Sequence, residues 1–184
     1  YRATSLYAAM PPGIETSGGS AANTMAGVAS LGGRSTYIGK VRDDQLGEVF
    51  AHDTRNGGVG FDVPFATEGE PTARSLIQVT PDGERTMNTF LGISAFLNPG
   101  DIDQEVVESA AITYCEGYLW DRDEAKEAIR HAMAIASDDS TLVLAAAPRT
   151  ATLVAITLYT SIRLKPPRLS IPLLPSAARF DALL

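Results

Sequence analysis

The stretch Ser17-Gly18-Gly19-Ser20-Ala21-Ala22-Asn23-Thr24, continued by Met25 to Leu31 and closed by Gly32-Gly33, decides how the rest of the chain is read. It predicts a tight glycine turn running straight into a helix. Gly18 and Gly19 carry no Cβ, so the backbone there can adopt positive φ and let a ligand approach closely. Ser20 is expected as the N-cap, with the free N–H groups of the first helical turn directed at whatever lies in front. Ala22, Met25, Ala26, Val28 and Ala29 are small or apolar, which suits close packing on a sheet. Gly32-Gly33 supplies the stop. Asn23 falls about one turn in, on the end facing a ligand, where its amide can both donate and accept. A glycine pair ahead of a helix also serves purely structural turns. Two phosphate-binding patterns are excluded, because neither G-x-x-x-x-G-K-[ST] nor G-x-G-x-x-G occurs.

Composition sets the outer bounds. With 184 residues, 45% hydrophobic and 20% charged, the chain is long enough for one domain with a real core. A net charge of −7 offers no basic face for a phosphate backbone and argues against a nucleic-acid partner. The single cysteine, Cys115, excludes a disulfide framework and fits a reducing, cytoplasmic setting. Neither a signal peptide nor a membrane span is expected: the longest uncharged run of the tail, Thr150 to Ile162, has 13 residues. Two histidines and one cysteine do not suggest a metal site. The chain begins at Tyr1 without methionine, which suggests a fragment or a processed product.

Working outward from the central helix, Leu6 to Met10 reads as a short helix broken by Pro11-Pro12-Gly13. Ser35 to Val41 reads as a strand, and Asp43 and Asp44 offer caps for a helix carrying Leu46, Val49 and Phe50, ended by Asn56-Gly57-Gly58. Alternating helices and strands of this kind indicate an α/β sandwich. Thr72 to Val79 and Thr86 to Leu91 flank the turn Pro81-Asp82-Gly83 and predict a hairpin, either an edge decoration or a lid. Asn98-Pro99-Gly100 starts a short acidic helical stretch through Glu108. Ala111 to Glu116 is the next buried strand, and its carboxyl end is where ligands gather in open α/β sheets. Glu116 is therefore either a pocket carboxylate or a solvated loop acid. Asp121 is expected to cap the following helix, whose buried stripe is Ala125, Ala128, Ile129, Ala132, Met133 and Ala136, with His131 in solvent.

From Ser137 the composition changes. Glycine does not occur after Gly117 nor glutamate after Glu127, and the tail carries five basic residues against three acids. Leu142 to Ala147 and Thr152 to Leu158 read as strands, while Pro166, Pro167, Pro172 and Pro175 break the end. Residues 1–136 are thus expected to form one domain part, with a lid at about 59–92, and residues 137–184 an atypical tail without an assigned role.

The spacing G-G-S-A-A-N at 18–23, L-G-G at 31–33 and Y-I-G-K-V-R-D-D-x-x-G at 37–47 resembles the N-terminal motif of the ribokinase-like (PfkB) sugar and nucleoside kinases. Met25 stands where that pattern has a small residue and Arg42 where it has glycine. With D-G-E-R-T-M-N-T-F-L-G and T-Y-C-E-G-Y-L-W added, residues 5–136 look most like bacterial adenosine kinases. The resemblance implies a ribokinase-like α/β sandwich, a mostly parallel sheet flanked by helices with a small antiparallel β lid, here incomplete. It implies phosphoryl transfer from ATP, with Mg²⁺, to the 5′-hydroxyl of adenosine; the alternatives are a sugar kinase (ribokinase, fructokinase or ketodeoxygluconate kinase) and a non-catalytic binding module. By resemblance Gly18, Gly19, Ser20 and Asn23 hold the ribose, Met87 and Thr89 line the base pocket, Arg85 neutralises phosphate charge and Glu116 borders the sugar. The family's first strand is expected before Tyr1. Its late G-A-G-D turn, with the aspartate base, has no counterpart in residues 137–184, so this chain alone is expected to be inactive. The implied partner is a small molecule, with no nucleic acid and no membrane.

Overall fold

The computed structural model describes residues 2–10 and 12–136, together with the backbone of two strands at 142–146 and 158–162. Five α-helices are described: α1 (Arg2–Ala9), α2 (Ser20–Ser30), α3 (Gln45–Asn56), α4 (Gln104–Glu108) and α5 (Asp123–Ala136). The seven strands are β1 (Ser35–Thr36), β2 (Val59–Gly60), β3 (Arg74–Val79), β4 (Arg85–Phe90), β5 (Ile112–Glu116), β6 (Leu142–Ala146) and β7 (Leu158–Ile162). The main sheet has the order β2-β1-β7-β5-β6, with β1–β2 and β5–β6 parallel and β7 antiparallel to both its neighbours. The hairpin β3–β4 forms a separate two-stranded sheet, so it does not decorate the edge of the main one.

Sequence expectation and structure part at several boundaries. The first helix covers Arg2–Ala9 rather than Leu6 to Met10. The strand expected over Ser35 to Val41 pairs only at Ser35–Thr36. The ladder lapses after the Tyr37 amide bonds the Gly60 carbonyl, and resumes as an isolated bridge between Arg42 and Ala66. Asp121 does not cap α5. A turn closed by Trp120 N–H to Gly117 O carries the chain past it, and the first helical bond, Lys126 N–H to Arg122 O, makes Arg122 the N-cap. The strand expected at Thr152 to Leu158 lies mostly outside the described residues, and the described strand begins at Leu158. The proline-broken end of the tail also lies outside them.

The expected stripe of α5 supplies much of the core. Ala125, Ala128, Ile129, Ala132 and Ala136 are fully buried, and α5 packs on Leu97, Ile102, Val107 and Cys115. His131 is exposed. A second cluster, Val41, Ala51 and Phe61, is filled out by aromatic contacts: Tyr37 stacks on Phe61 at 5.7 Å, and Phe50 meets both rings edge-on. Met25 is fully buried on the inner face of α2, and its carbonyl accepts from the Ser35 hydroxyl at 3.0 Å.

Asp44 ties these layers to the hairpin. It is the N-cap of α3, accepting from the Gly47 amide at 2.9 Å, while Asp43 one residue earlier makes no described side-chain bond. The same carboxylate accepts the Thr72 amide at 2.9 Å and the Thr72 hydroxyl at 2.6 Å. Arg42 adds a second strap, its guanidinium donating to the Gly69 carbonyl at 2.6 Å. Lys40 is held by both oxygens of Asp101, at 2.9 and 2.7 Å, and Asp101 closes a capping box with Asn98. Asn98-Pro99-Gly100 thus opens a 3₁₀ turn, followed by the short α4.

Candidate functional site

The glycine turn ahead of α2 has Gly19 at φ 105°, a conformation that disfavours any residue with a Cβ. Gly19 is the N-cap, and no side chain caps the helix. Ser20, expected in that role, is instead the first helical residue, and its hydroxyl turns away from its own backbone to donate to Glu116 Oε2. The N–H groups of the first turn are thereby left without a side-chain cap. The Ser17 hydroxyl donates to Asp53 at 2.7 Å and pins the start of the turn to α3; that bond, then the neighbouring His52, hold the Asp53 carboxyl below its usual range.

Glu116 closes β5 and is 5% exposed, which settles against a solvated loop acid. Tyr114 lies two residues earlier and so on the same strand face. Its hydroxyl donates to Glu116 Oε1 at 2.9 Å. Burial first, and the bond to Glu116 second, push the Tyr114 phenol up, so it stays a donor at neutral pH. Tyr37 also feels this carboxylate: burial, then the Glu116 charge, push its phenol up to about 12. Both carboxylate oxygens are therefore engaged by hydroxyls. A buried carboxylate at the N-terminus of a helix is favoured by the helix dipole.

Asn23 is exposed, and its side chain makes no hydrogen bond among the described residues; its backbone N–H closes the first helical bond onto the Gly19 carbonyl at 2.8 Å. The structure thus brings Gly18, Gly19, Ser20, Asn23 and Glu116 to one end of α2. Arg85, Met87 and Thr89 are gathered elsewhere. The hairpin register pairs Ser75 with Thr89, Ile77 with Met87 and Val79 with Arg85, placing all six on one hairpin face. Ile77, Val79 and Met87 are 45%, 63% and 61% exposed on that face. The opposite face is better covered, with Arg74 over the Phe90 ring at 5.5 Å. Among the described residues, no hydrogen bond or ion pair links the hairpin face to α2 or Glu116.

A cavity of about 500 Å³ opens at the root of the hairpin, bordered by Lys40, Glu68, Gly69, Phe96 and Asn98, and a shallower one of about 380 Å³ lies along α3. Neither of these two is lined by the glycine turn or by Glu116. Tyr114 was missed in the sequence, although T-Y-C-E carries its signal: two polar side chains spaced by two on a buried strand share a face. Among the described residues no helix is long and apolar enough to cross a membrane.

The chain is similar to proteins that are already known. The family model for pfkB family carbohydrate kinases matches residues 14–159. The adenosine kinase from Sinorhizobium meliloti is 54% identical with a TM-score of 0.75, over 78% of this chain and 44% of that one. A probable sugar kinase from Rhizobium etli is 50% identical with the same TM-score and the same shares of the two chains. Among curated sequences, the probable fructokinase-3 of Arabidopsis thaliana is 29% identical over 72% of this chain and 39% of its own length. The chain thus spans less than half the length of the relatives it matches. With its ribokinase-like fold and its glycine turn, it belongs to the pfkB family of carbohydrate kinases.

Proposed function

We propose that this chain is the acceptor-binding part of a cytoplasmic kinase that transfers the terminal phosphoryl group of ATP, with Mg²⁺, to the 5′-hydroxyl of adenosine. In this reading Gly18, Gly19, Ser20, Asn23 and Glu116 hold the ribose, Met87 and Thr89 face the base, and Arg85 offsets phosphate charge. The carrying observation is the hairpin face, where Ile77, Val79 and Met87 present exposed apolar surface between polar ends. A purine has two apolar ring faces to cover, whereas a sugar offers mainly hydroxyls. The 54% identity to an adenosine kinase supports the same choice.

The ribose end suits a diol. The Asn23 amide both donates and accepts, and the Glu116 carboxylate accepts hydroxyl protons. Positioning of the acceptor hydroxyl is a large part of phosphoryl-transfer catalysis. Among the described residues no group of three or more His, Cys, Asp or Glu side chains gathers to hold a metal ion.

The second reading, a sugar kinase, is favoured by the Rhizobium etli relative and the plant fructokinases. A thermal-shift panel on the chain separates the two. Adenosine at about a hundredfold its Kd stabilises by about 2.7 kcal/mol, a rise of about 5–11 °C for a chain of this size. Fructose and ribose should leave the melting temperature unchanged. A rise with fructose alone rejects the adenosine reading in favour of the sugar one.

A further inference from the structure

The two oxygens of Glu116 keep unequal company. Oε2 is met by the hydroxyl of Ser20, an exposed residue at the mouth of α2. Oε1 is met from within the sheet by the Tyr114 hydroxyl, at 2.9 Å along the same strand face. No lysine or arginine pairs with this carboxylate among the described residues, so hydroxyl donors alone define its orientation. A glutamate has three rotatable side-chain bonds, and the last is broad and nearly two-fold, so a carboxylate held at one oxygen only can turn. With Oε1 fixed by a rigid phenol, Oε2 is left aimed at the helix mouth. A ligand hydroxyl arriving there would replace or share the Ser20 bond without reorienting the acid.

We propose that Tyr114 is a positioning residue: it holds Glu116 through Oε1 and so presents Oε2, beside the α2 N-terminus, to a hydroxyl of a polyol ligand such as ribose. The role rests on the reading of this end of α2 as a ribose site, but not on the identity of the base. Tyr114 itself touches no ligand. Cys115, between Tyr114 and Glu116, points to the opposite strand face and is fully buried, so it takes no part.

The test is a double-mutant cycle read by calorimetric titration with adenosine and, separately, with fructose. The four proteins are the unaltered chain, Tyr114→Phe, Glu116→Ala and the double variant, and the melting temperature of each is recorded. Tyr114→Phe keeps the ring and should weaken the bound ligand about tenfold, the loss of one orienting hydrogen bond to a charged group. In the Glu116→Ala background the same substitution should have no further effect, because there is nothing left to orient. A structural role would instead lower the melting temperature and weaken binding equally in both backgrounds, which overturns the proposal. An unchanged affinity for Tyr114→Phe overturns it too. Should fructose bind and adenosine not, the adenosine reading fails while the cycle run with fructose still decides the role of Tyr114. Binding of neither by the unaltered chain overturns both.

Discussion

Replacing Asp44 by alanine should be among the most costly single changes in the described fold. The carboxylate accepts the Gly47 amide at the head of α3 and both the amide and hydroxyl of Thr72 at the root of the hairpin. Loss of an N-cap costs about 1 kcal/mol, and hydrogen bonds to a charged group contribute about 1.5–3 kcal/mol each. These are not additive within one network, and the group is only partly buried, so the expected loss is about 3 kcal/mol. For a chain of this length that lowers the melting temperature by about 6–12 °C. Asp43→Ala is the matched control, since Asp43 is exposed and makes no described side-chain bond. The pH dependence follows from the same contacts. Burial alone would raise the Asp44 carboxyl, but the Thr72 hydroxyl and amide, the Gly47 amide and the Arg42 charge outweigh it and hold it below its ordinary 3.8. A depressed folded-state value means the stabilisation is fully present above the unfolded value and is lost as pH falls from there through the folded one. The wild type should therefore lose its advantage over Asp44→Ala on acidification below 3.8. Thermal unfolding of the three proteins between neutral and acid pH measures this. If Asp44→Ala melted with Asp43→Ala at neutral pH, the reasoning would be refuted.

Two other outcomes are expected. Gly47→Ala would place a Cβ 2.0 Å from the Arg42 carbonyl, a backbone atom with no freedom to give, so it should destabilise by about 3 kcal/mol despite favouring helix, as a denaturant midpoint will show. If the hairpin is a lid that closes on a ligand, amide exchange over residues 72–91 should slow when adenosine is added, and exchange equally fast with and without it would leave the hairpin a structural arm.

Much of this architecture was legible because its signals are local. The glycine turn and helix at 18–30, the turn Pro81-Asp82-Gly83 between paired strands, and the alanine stripe of α5 all follow from periodicity and turn chemistry within short windows. Asp44 was legible as a cap but not distinguishable from Asp43, because only its reach to Thr72, 28 residues away, makes it the better cap. Sequence predicts Ser20 as a cap because it shows only the local competitor for its hydroxyl. Its actual partner, Glu116, is 96 residues distant. Lys40 likewise carried no signal until Asp101, 61 residues on, was brought to it. Arg42 and Met25, both departures from the family pattern, find places that only tertiary packing creates: a strap to Gly69 and a fully buried slot. The strand predicted from Ser35 runs past its observed end at Thr36 because β-rich composition does not report where a partner strand stops.

Asn23 offers the most direct measurement of the central claim, that the mouth of α2 holds a ribose. Its side chain is exposed and without a hydrogen-bond partner among the described residues, beside the Gly19 turn. Calorimetric titration of the chain with adenosine should give saturable binding, weakened by about tenfold or more in Asn23→Ala, since losing one polar partner costs about 1–3 kcal/mol. Asn23 is not buried, so the fold itself should be unaffected and the melting temperature unchanged. Equal affinity for adenosine in the two proteins would contradict the claim.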